Sequence, residues 1–474
     1  MPAAASDRPL FDPVRLATVS LDVMAVPGEG ASGWRARQQV RLRALVAATR
    51  SSSPLWREWL PAGLGEGDAP IDLATLPVVD KPMLMERFDD WVCDPAIRLP
   101  ALRAFLDDPA AVGGAFLGRY VVWESSGTSG EPGIFVQDAQ AMAVHDALEG
   151  LRRHTLHPLR RLFDPLYLSE RLAFVGATGG HFASVVSLER LRRLNPWMGA
   201  AFHSLSILRP VAELVAALNA LSPTILVSYP TAVALLAEQA RAGALRIAPT
   251  EIWTGGETLT PAVRALAEQT FGCRVRNSYG ASEFLSIGWE CAAGQMHANT
   301  DWVILEPVDA QGRPVPPGVD SHSTLLTNLA NHVQPLIRYD LGDSLCIAAA
   351  PCRCGSPLPV ITVQGRHDDP LHLRDASGHR ATWLPLALST LLEEEAGVFD
   401  FQILQRDART LALRVGMAGA EAGPALSRCS HALRALAARD GLHGLHVVEE
   451  PGRALVHGSS GKVQRVIATP AATD

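Results

Sequence analysis

A chain of 474 residues exceeds one ordinary hydrophobic core, which predicts two or three domains. With 47% hydrophobic and 19% charged residues it reads as globular, not disordered. A formal charge of −7 argues against broad nucleic-acid binding, which needs basic surface to neutralise phosphates.

No run of about 18 apolar residues stands uninterrupted, so no membrane span is expected. The N-terminal "MPAAASDRPLFDP" lacks a basic start followed by an apolar stretch, so no secretory signal is expected either. Seven cysteines in so long a chain do not make a disulfide framework, and a reduced, cytoplasmic setting follows as the expectation.

In chain order, residues 1–115 read mostly as helices, with apolar residues at helical spacing in "WRARQQVRLRALVAATR". Asp80 and Pro82 mark a helix start. "RYVVWE" and "GIFVQD" are strand-like and flank a glycine-rich loop; "AQAMAVHDALEGLRRHTL" is then helical. "RLAFVGATGG" is a strand ending in glycines, and "PTILVSYPTAVALLAEQARAG" is a strand and then a helix opened by Pro230. "EIWTGGETLTPAVRALAEQTFG" repeats that design with Thr260 as N-cap, and "CRVRNSYGASE" is a further strand ending in a turn. Such alternation means an α/β sheet, whose strand ends are where ligands sit. Beyond Ser282 the chain is richer in β, with "DWVILEPVD" and "STLLTNLA" as strands. From about residue 369 a smaller unit has strands "FDFQILQ", "TLALRVGM" and "LHVVEE" and the helix "ALSRCSHALRALAAR". The expected fold class is α/β: a large N-terminal α/β domain with layered sheets, plus a small mobile α+β C-terminal domain.

Of the 42 basic residues only two are lysines, Lys81 and Lys462. Lys81 reads as part of its helix start, hence structural. Lys462, in "HGSSGKVQRVI", sits among Gly and Ser, where a flexible point charge reaches outward in a way that a planar guanidinium does not.

The loop "ESSGTSGEPG" packs Ser125, Ser126, Gly127, Thr128, Ser129 and Gly130 into one turn. Glycines let backbone approach an anion, and N–H groups with hydroxyls cradle phosphate oxygens. A solvated hairpin loop has the same composition. It is not a GxxxxGK[ST] loop, having no Lys-Ser pair and no helix directly behind it. Downstream follow "TGGETL", "NSYGASE", "RYDLGD", "GRHDD" and "SSGKVQR". Asp343 suits two ribose hydroxyls, Tyr279 suits stacking on adenine, and Glu283 suits a Mg²⁺ ligand; taken singly they read as a turn aspartate, a core tyrosine and a surface glutamate.

This ordered set resembles the adenylate-forming superfamily, over about residues 70–470. Within it the chain is most similar to the phenylacetate–coenzyme A ligase branch, through "SSGTSGEPG", "SYGASE", and "ECAAGQMH" followed by "PCRCG". The resemblance implies that residues 125–130 wrap the phosphates of ATP. Gly256 and Glu257 would line the adenine pocket with Ser278, Tyr279 and Gly280, and Asp343 and Arg366 would take the ribose. Glu283 would hold Mg²⁺. Asp368 would be the hinge between residues 1–367 and 368–474, and Lys462 the catalytic ammonium that the small domain brings to the site. Two departures stand out: Glu131 where many relatives have a basic residue, and Asp340 where an Arg is commoner.

Cys291, His297, Cys352 and Cys354 offer three sulfurs and an imidazole, which suits tetrahedral zinc, although C-x₅-H and C-x-C are looser than a finger pattern. Reduced core cysteines with a surface histidine are the plain alternative; the branch resemblance favours structural zinc. Gly179, His181, Tyr229 and Ala281 are candidates for the substrate pocket, although a lone histidine such as His181 is more often a structural core group.

The expected function is ATP-dependent activation of an aromatic carboxylic acid to acyl-AMP and transfer to coenzyme A. The alternatives are loading of a carrier protein, or a non-catalytic nucleotide-binding scaffold on the same fold. Expected partners are the acid and coenzyme A or a carrier protein, with no nucleic acid and no membrane; a homodimer is one assembly compatible with this.

Overall fold

The computed structural model describes residues 10–67, 69–125, 132–152, 169–195, 199–207, 209–366, 371–375, 377–383, 385–417, 419–456 and 463–468. It opens on α1 (Pro13–Ser52), capped by Asp12, whose carboxylate accepts from the backbone N–H groups of Val14 and Arg15. Pro27 withholds a helical donor and Gly30 takes φ 67°, so the helix kinks between its halves. Four short helices follow: α2 (Pro54–Trp59), α3 (Lys81–Glu86), α4 (Phe88–Trp91) and α5 (Leu99–Leu106).

The strands β1 (Val121–Glu124) and β2 (Ile134–Gln137) pair antiparallel and bring the two feet of the glycine-rich loop together. Ser125 N–H donates to Gly133 O and Gly133 N–H to Ser125 Oγ, both at 2.8 Å. Helix α6 (Ala139–Arg152) follows and packs on α1.

Strand and helix then alternate: β3 (Leu172–Gly176), α7 (Ala183–Leu194), β4 (Phe202–Ser206), α8 (Val211–Leu221), β5 (Ile225–Ser228), α9 (Pro230–Arg241), β6 (Glu251–Gly255), α10 (Pro261–Phe271) and β7 (Arg274–Ala281). Thr260 caps α10 by accepting from Val263 N–H at 3.2 Å, as the Thr-Pro pair predicts. After β7 come β8 (Phe284–Glu290), β9 (Met296–Ala298), β10 (Val303–Val308), β11 (Ser323–Asn328), β12 (Tyr339–Asp340), β13 (Asp343–Ile347) and β14 (Val360–Arg366).

Among the described residues one sheet has nine strands in the order β13-β14-β9-β8-β7-β6-β5-β3-β4. Its β4 to β7 part is parallel and the rest antiparallel. The chain lays β4 on one side of β3 and returns to lay β5 on the other. Such a reversal opens a crevice at the carboxyl ends of the strands. Strands β10, β11 and β12 form a second, antiparallel sheet. The largest apolar cluster joins α1 to α5 with the β1–β2 hairpin and these sheets, through Trp56, Trp91, Trp123, Phe284, Leu326 and Ile337.

Residues from Leu371 to Val466 have an apolar cluster of their own, which includes Leu388, Phe401, Leu411, Leu426 and Leu433. Its elements are β15 (Leu371–Arg374), β16 (Arg380–Trp383), α11 (Pro385–Glu395), β17 (Phe401–Asp407), β18 (Thr410–Val415), α12 (Ala422–Arg439), β19 (His446–Glu449) and β20 (Val466–Ile467). It meets the preceding body at α9 and α10. There Phe399 packs on Ala234, Ala237, Val263 and Leu266, and the Thr260 hydroxyl donates to Glu393. Glu393 is also paired with Arg465. No described helix is long and apolar enough to cross a membrane.

Candidate active site

At the carboxyl ends of β5, β6 and β7 lies a cavity of about 1700 Å³. Ser125, Gly256, Glu257, Ser278, Tyr279, Gly280, Glu283 and Asp343 all line it. The loop feet, two parallel-strand ends and the start of β13 thus meet at one place, although more than 200 residues separate Ser125 from Asp343.

The tip of the β7–β8 hairpin carries Glu283. A Cβ at Gly280 would lie 1.9 Å from Leu285 O, so only glycine fits this approach. Trp123 Nε1–H donates to Ser282 O at 2.8 Å and Asn328 Nδ2 to Glu283 O at 3.0 Å, clamping the tip from both sides. The Glu283 side chain is aimed by Tyr339, whose O–H donates to Oε1 at 2.8 Å. In parallel, Tyr279 O–H donates to Asp343 Oδ2 at 2.5 Å. Tyr279, expected to stack on adenine, therefore also orients Asp343, the carboxylate expected to meet the ribose.

Glu257 crosses to the start of α9, where its Oε2 accepts from Thr231 N–H at 3.2 Å and from Thr231 Oγ1 at 2.8 Å. Its Oε1 is buried with no hydrogen-bond partner among the described residues, which leaves an acceptor in the cavity wall. Tyr229 lines the cavity and accepts from Ala177 N–H at 3.3 Å; burial pushes its phenol up to about 12. Ala281 lines the cavity as well. Its apolar wall comes from Phe174, Phe182, Leu188, Phe202, Val227 and Trp253.

His181 and Gly179 are not among the described lining residues. His181 is 1% exposed, shares an Nε2 hydrogen bond with Asp108 O at 3.0 Å and packs on Phe105. Burial lowers its pKa, and the ring packs as a core group, the reading that a lone histidine also allows from sequence. The next residue, Phe182, faces the cavity instead.

Away from these groups, Cys291, His297, Cys352 and Cys354 present ligand atoms that all lie within 4.8 Å of one another. The sulfurs of Cys291 and Cys352 are 3.8 Å apart, and Cys354 Sγ is 3.3 Å from His297 Nε2. His297 Nδ1 stands 2.8 Å from Leu358 O; a proton held there leaves the Nε2 lone pair facing the sulfurs. The donor set and its convergence fit zinc.

Residues 198–322 match the AMP-binding enzyme family. A stretch of 126 residues is 32% identical to a phenylacetate-coenzyme A ligase of Thermus thermophilus, over 25% of this chain and 28% of that one. The match thus spans little more than a quarter of that relative. In fold, the chain is similar to a 2-hydroxyisobutyryl-CoA ligase in its postadenylation state, with TM-score 0.64 and 19% identity over 91% of this chain and 89% of that one. Against the same ligase in its thioesterification state the TM-score is 0.54, at 21% identity over 92% and 90%. Residues 198–322 are thus similar to an AMP-binding enzyme, and over 91% of the chain the fold is like that of a CoA ligase.

Of the residues that the resemblance to the adenylate-forming superfamily implies, Ser126, Gly127, Thr128, Ser129, Gly130, Asp368 and Lys462 lie outside the described residues. Arg366 is described by its backbone, which pairs with Asp343 across β14 and β13. Reading the sequence missed Tyr339, Asn328 and Trp123. Tyr339 was visible inside "RYDLGD", but only the pairing of β11 with β12 brings it to Glu283. Asp340, left without a role, bonds Ser323 Oγ and accepts from Gly342 N–H at 2.9 Å; it shapes the turn leading into Asp343.

Proposed function

We propose that this adenylate-forming chain activates an aromatic carboxylic acid with ATP and transfers the acyl group to coenzyme A. The observation that carries this reading is the meeting of Ser125, Glu257, Tyr279, Glu283 and Asp343 on one cavity that also has an aromatic wall.

In the first step a carboxylate oxygen attacks the α-phosphorus of ATP, the bond to the β-phosphate oxygen breaks, and pyrophosphate leaves. Ser125 and the loop behind it cradle phosphates, Asp343 takes the ribose, and Glu257 and Tyr279 border the base. Mg²⁺, when bound, neutralises phosphate charge, and Glu283 is the residue that would hold it. Lys462 places an ammonium between two anions; loss of one such donor costs about 10²–10³ in rate. In the second step the thiol sulfur attacks the acyl carbon, its proton is lost and AMP departs. Hinge movement at Asp368 would exchange Lys462 for a thiol channel, separating residues 1–367 from 368–474 in function.

An aromatic acid is supported by Phe174, Phe182, Phe202 and Trp253, which offer flat apolar surface. Structural zinc on Cys291, His297, Cys352 and Cys354 and a reducing, cytoplasmic setting belong to the same proposal.

The test is exchange of labelled pyrophosphate into ATP across benzoic, phenylacetic and aliphatic acids. Exchange with aromatic acids, abolished in Lys462→Ala, is expected. Exchange without thioester formation from coenzyme A would favour loading of a carrier protein. ATP binding without exchange for any acid would favour a non-catalytic role.

A further inference from the structure

All seven cysteines are free thiols, and they fall into two kinds. Burial pushes the thiols of Cys93 and Cys429 up to about 12 and that of Cys273 up to about 11, so these three stay protonated. A protonated thiol reacts poorly, because the thiolate is the nucleophile. Cys346 gives its S–H to Ile347 O at 3.7 Å.

The other three are arranged differently. Cys291, Cys352 and Cys354 converge with His297, all ligand atoms lying within 4.8 Å of one another. Cys291 is 1% exposed, Cys352 is half-buried and Cys354 is exposed, so the cluster opens to solvent on one side. The sulfurs of Cys291 and Cys352 stand 3.8 Å apart across 61 residues of chain. A disulfide is about 2.0 Å long, so the two sulfurs start within reach of one another.

The place of the cluster in the sheet gives it leverage. Cys291 directly follows β8, whose first residue is preceded by Glu283. His297 in β9 pairs with Val360 at the start of β14, and β14 ends at Arg366, opposite Asp343. One end of each strand is thus anchored at the cluster, and the other adjoins a carboxylate of the cavity.

We propose that this cluster is a reversible redox switch: a peroxide oxidises Cys352, Cys291 closes it as a Cys291–Cys352 disulfide, and the metal held by the same thiolates is released. The Cys352 sulfur attacks one peroxide oxygen, the O–O bond breaks, and a sulfenic acid and one water result. The Cys291 sulfur then attacks the Cys352 sulfur, the S–O bond breaks, and a second water leaves. Two electrons pass from sulfur to peroxide, so two thiols and one peroxide give one disulfide and two waters. From zinc-bound thiolates, solvent supplies both protons. Cys354 and His297 then remain, two donors where tetrahedral zinc takes four. Release of zinc rests on the reading of this cluster as a zinc site; the disulfide does not. A transient disulfide of this kind suits a reducing compartment, where redox-sensing bonds form and are reduced again.

The test treats the full-length protein, purified without chelator, with hydrogen peroxide. Released zinc is followed with a metallochromic dye, free thiols by titration, and the position of the linkage by peptide mass mapping. About one zinc is expected to appear for each pair of thiols lost, with the linkage at Cys291–Cys352. The melting temperature should fall on oxidation, and dithiothreitol with added zinc should restore thiols, metal and melting temperature together. Cys291→Ser should form no disulfide and should carry Cys352 on to the irreversible sulfinic acid. That variant also loses a metal ligand, so the map of the wild type decides on its own. Retention of every thiol at peroxide concentrations that oxidise free cysteine would overturn the proposal. So would a wild-type disulfide that omits Cys291 or Cys352. A chain that holds no zinc, yet reversibly forms the Cys291–Cys352 disulfide, would overturn the zinc reading and leave the switch standing.

Discussion

Tyr339 directs Glu283: the phenolic O–H donates to Oε1 at 2.8 Å, while Asn328 holds the main-chain oxygen of the same glutamate at 3.0 Å. A carboxylate that takes a metal works best in one orientation, and the residues behind it set that orientation. Tyr339→Phe removes the donor and keeps the ring. The Mg²⁺ concentration for half-maximal pyrophosphate exchange is expected to rise by about tenfold, with little change in stability. An unchanged Mg²⁺ requirement would show that Tyr339 has no part in orienting the ligand.

The second tyrosine–carboxylate pair makes a separate prediction. Tyr279→Phe keeps the ring in the cavity wall but deletes the 2.5 Å bond to Asp343 Oδ2. A hydrogen bond to a charged group is worth about 1.5–3 kcal/mol, so KM for ATP should rise roughly tenfold or more while kcat changes little. Loss of kcat at constant KM would place Tyr279 in the chemical step instead.

The four-ligand cluster predicts about one zinc per chain in protein purified without chelator, in keeping with its four donors. Cys354→Ser removes one thiolate and should lower both the zinc content and the melting temperature. Metal analysis of wild type finding well under one zinc per chain would contradict the site.

His145 supplies a pH dependence. It is fully buried between Trp123 and Phe284, and burial lowers its pKa to about 3, with Arg190 adding to the effect. The folded state keeps this imidazole neutral while the unfolded chain takes up a proton below about 6.5, so stability falls as the pH falls through that value. Between pH 7 and pH 5 wild type should lose about 2 kcal/mol more than His145→Phe, measured by denaturant unfolding. Parallel losses in the two proteins would mean that His145 is protonated when folded.

The hinge assignment predicts a split between half-reactions. Asp368→Pro restricts the backbone where rotation is proposed. Thioester formation from preformed acyl-AMP should fall much further than pyrophosphate exchange. Equal loss of both would remove Asp368 from the hinge.

Much of this architecture was legible in local chemistry. Thr260 with Pro261 announced the start of α10, Asp80 with Pro82 that of α3, and the glycine-punctuated alternation of strand and helix announced a parallel sheet. These signals are short in range, because capping, φ restriction and hydrophobic period act within a few residues. The cysteine and histidine set was also visible, since few residue types bind zinc.

What the chain order alone left open was adjacency. His181 and Phe182 stand side by side in sequence, yet one is buried against Phe105 and the other faces the cavity, a choice made by the packing of α5 and α7 around them. Tyr339 reaches Glu283 only because sheet pairing closes a gap of 56 residues. Residue types and local turns were set by the sequence; which carboxylate each tyrosine holds was decided when long-range strand pairing buried those segments together.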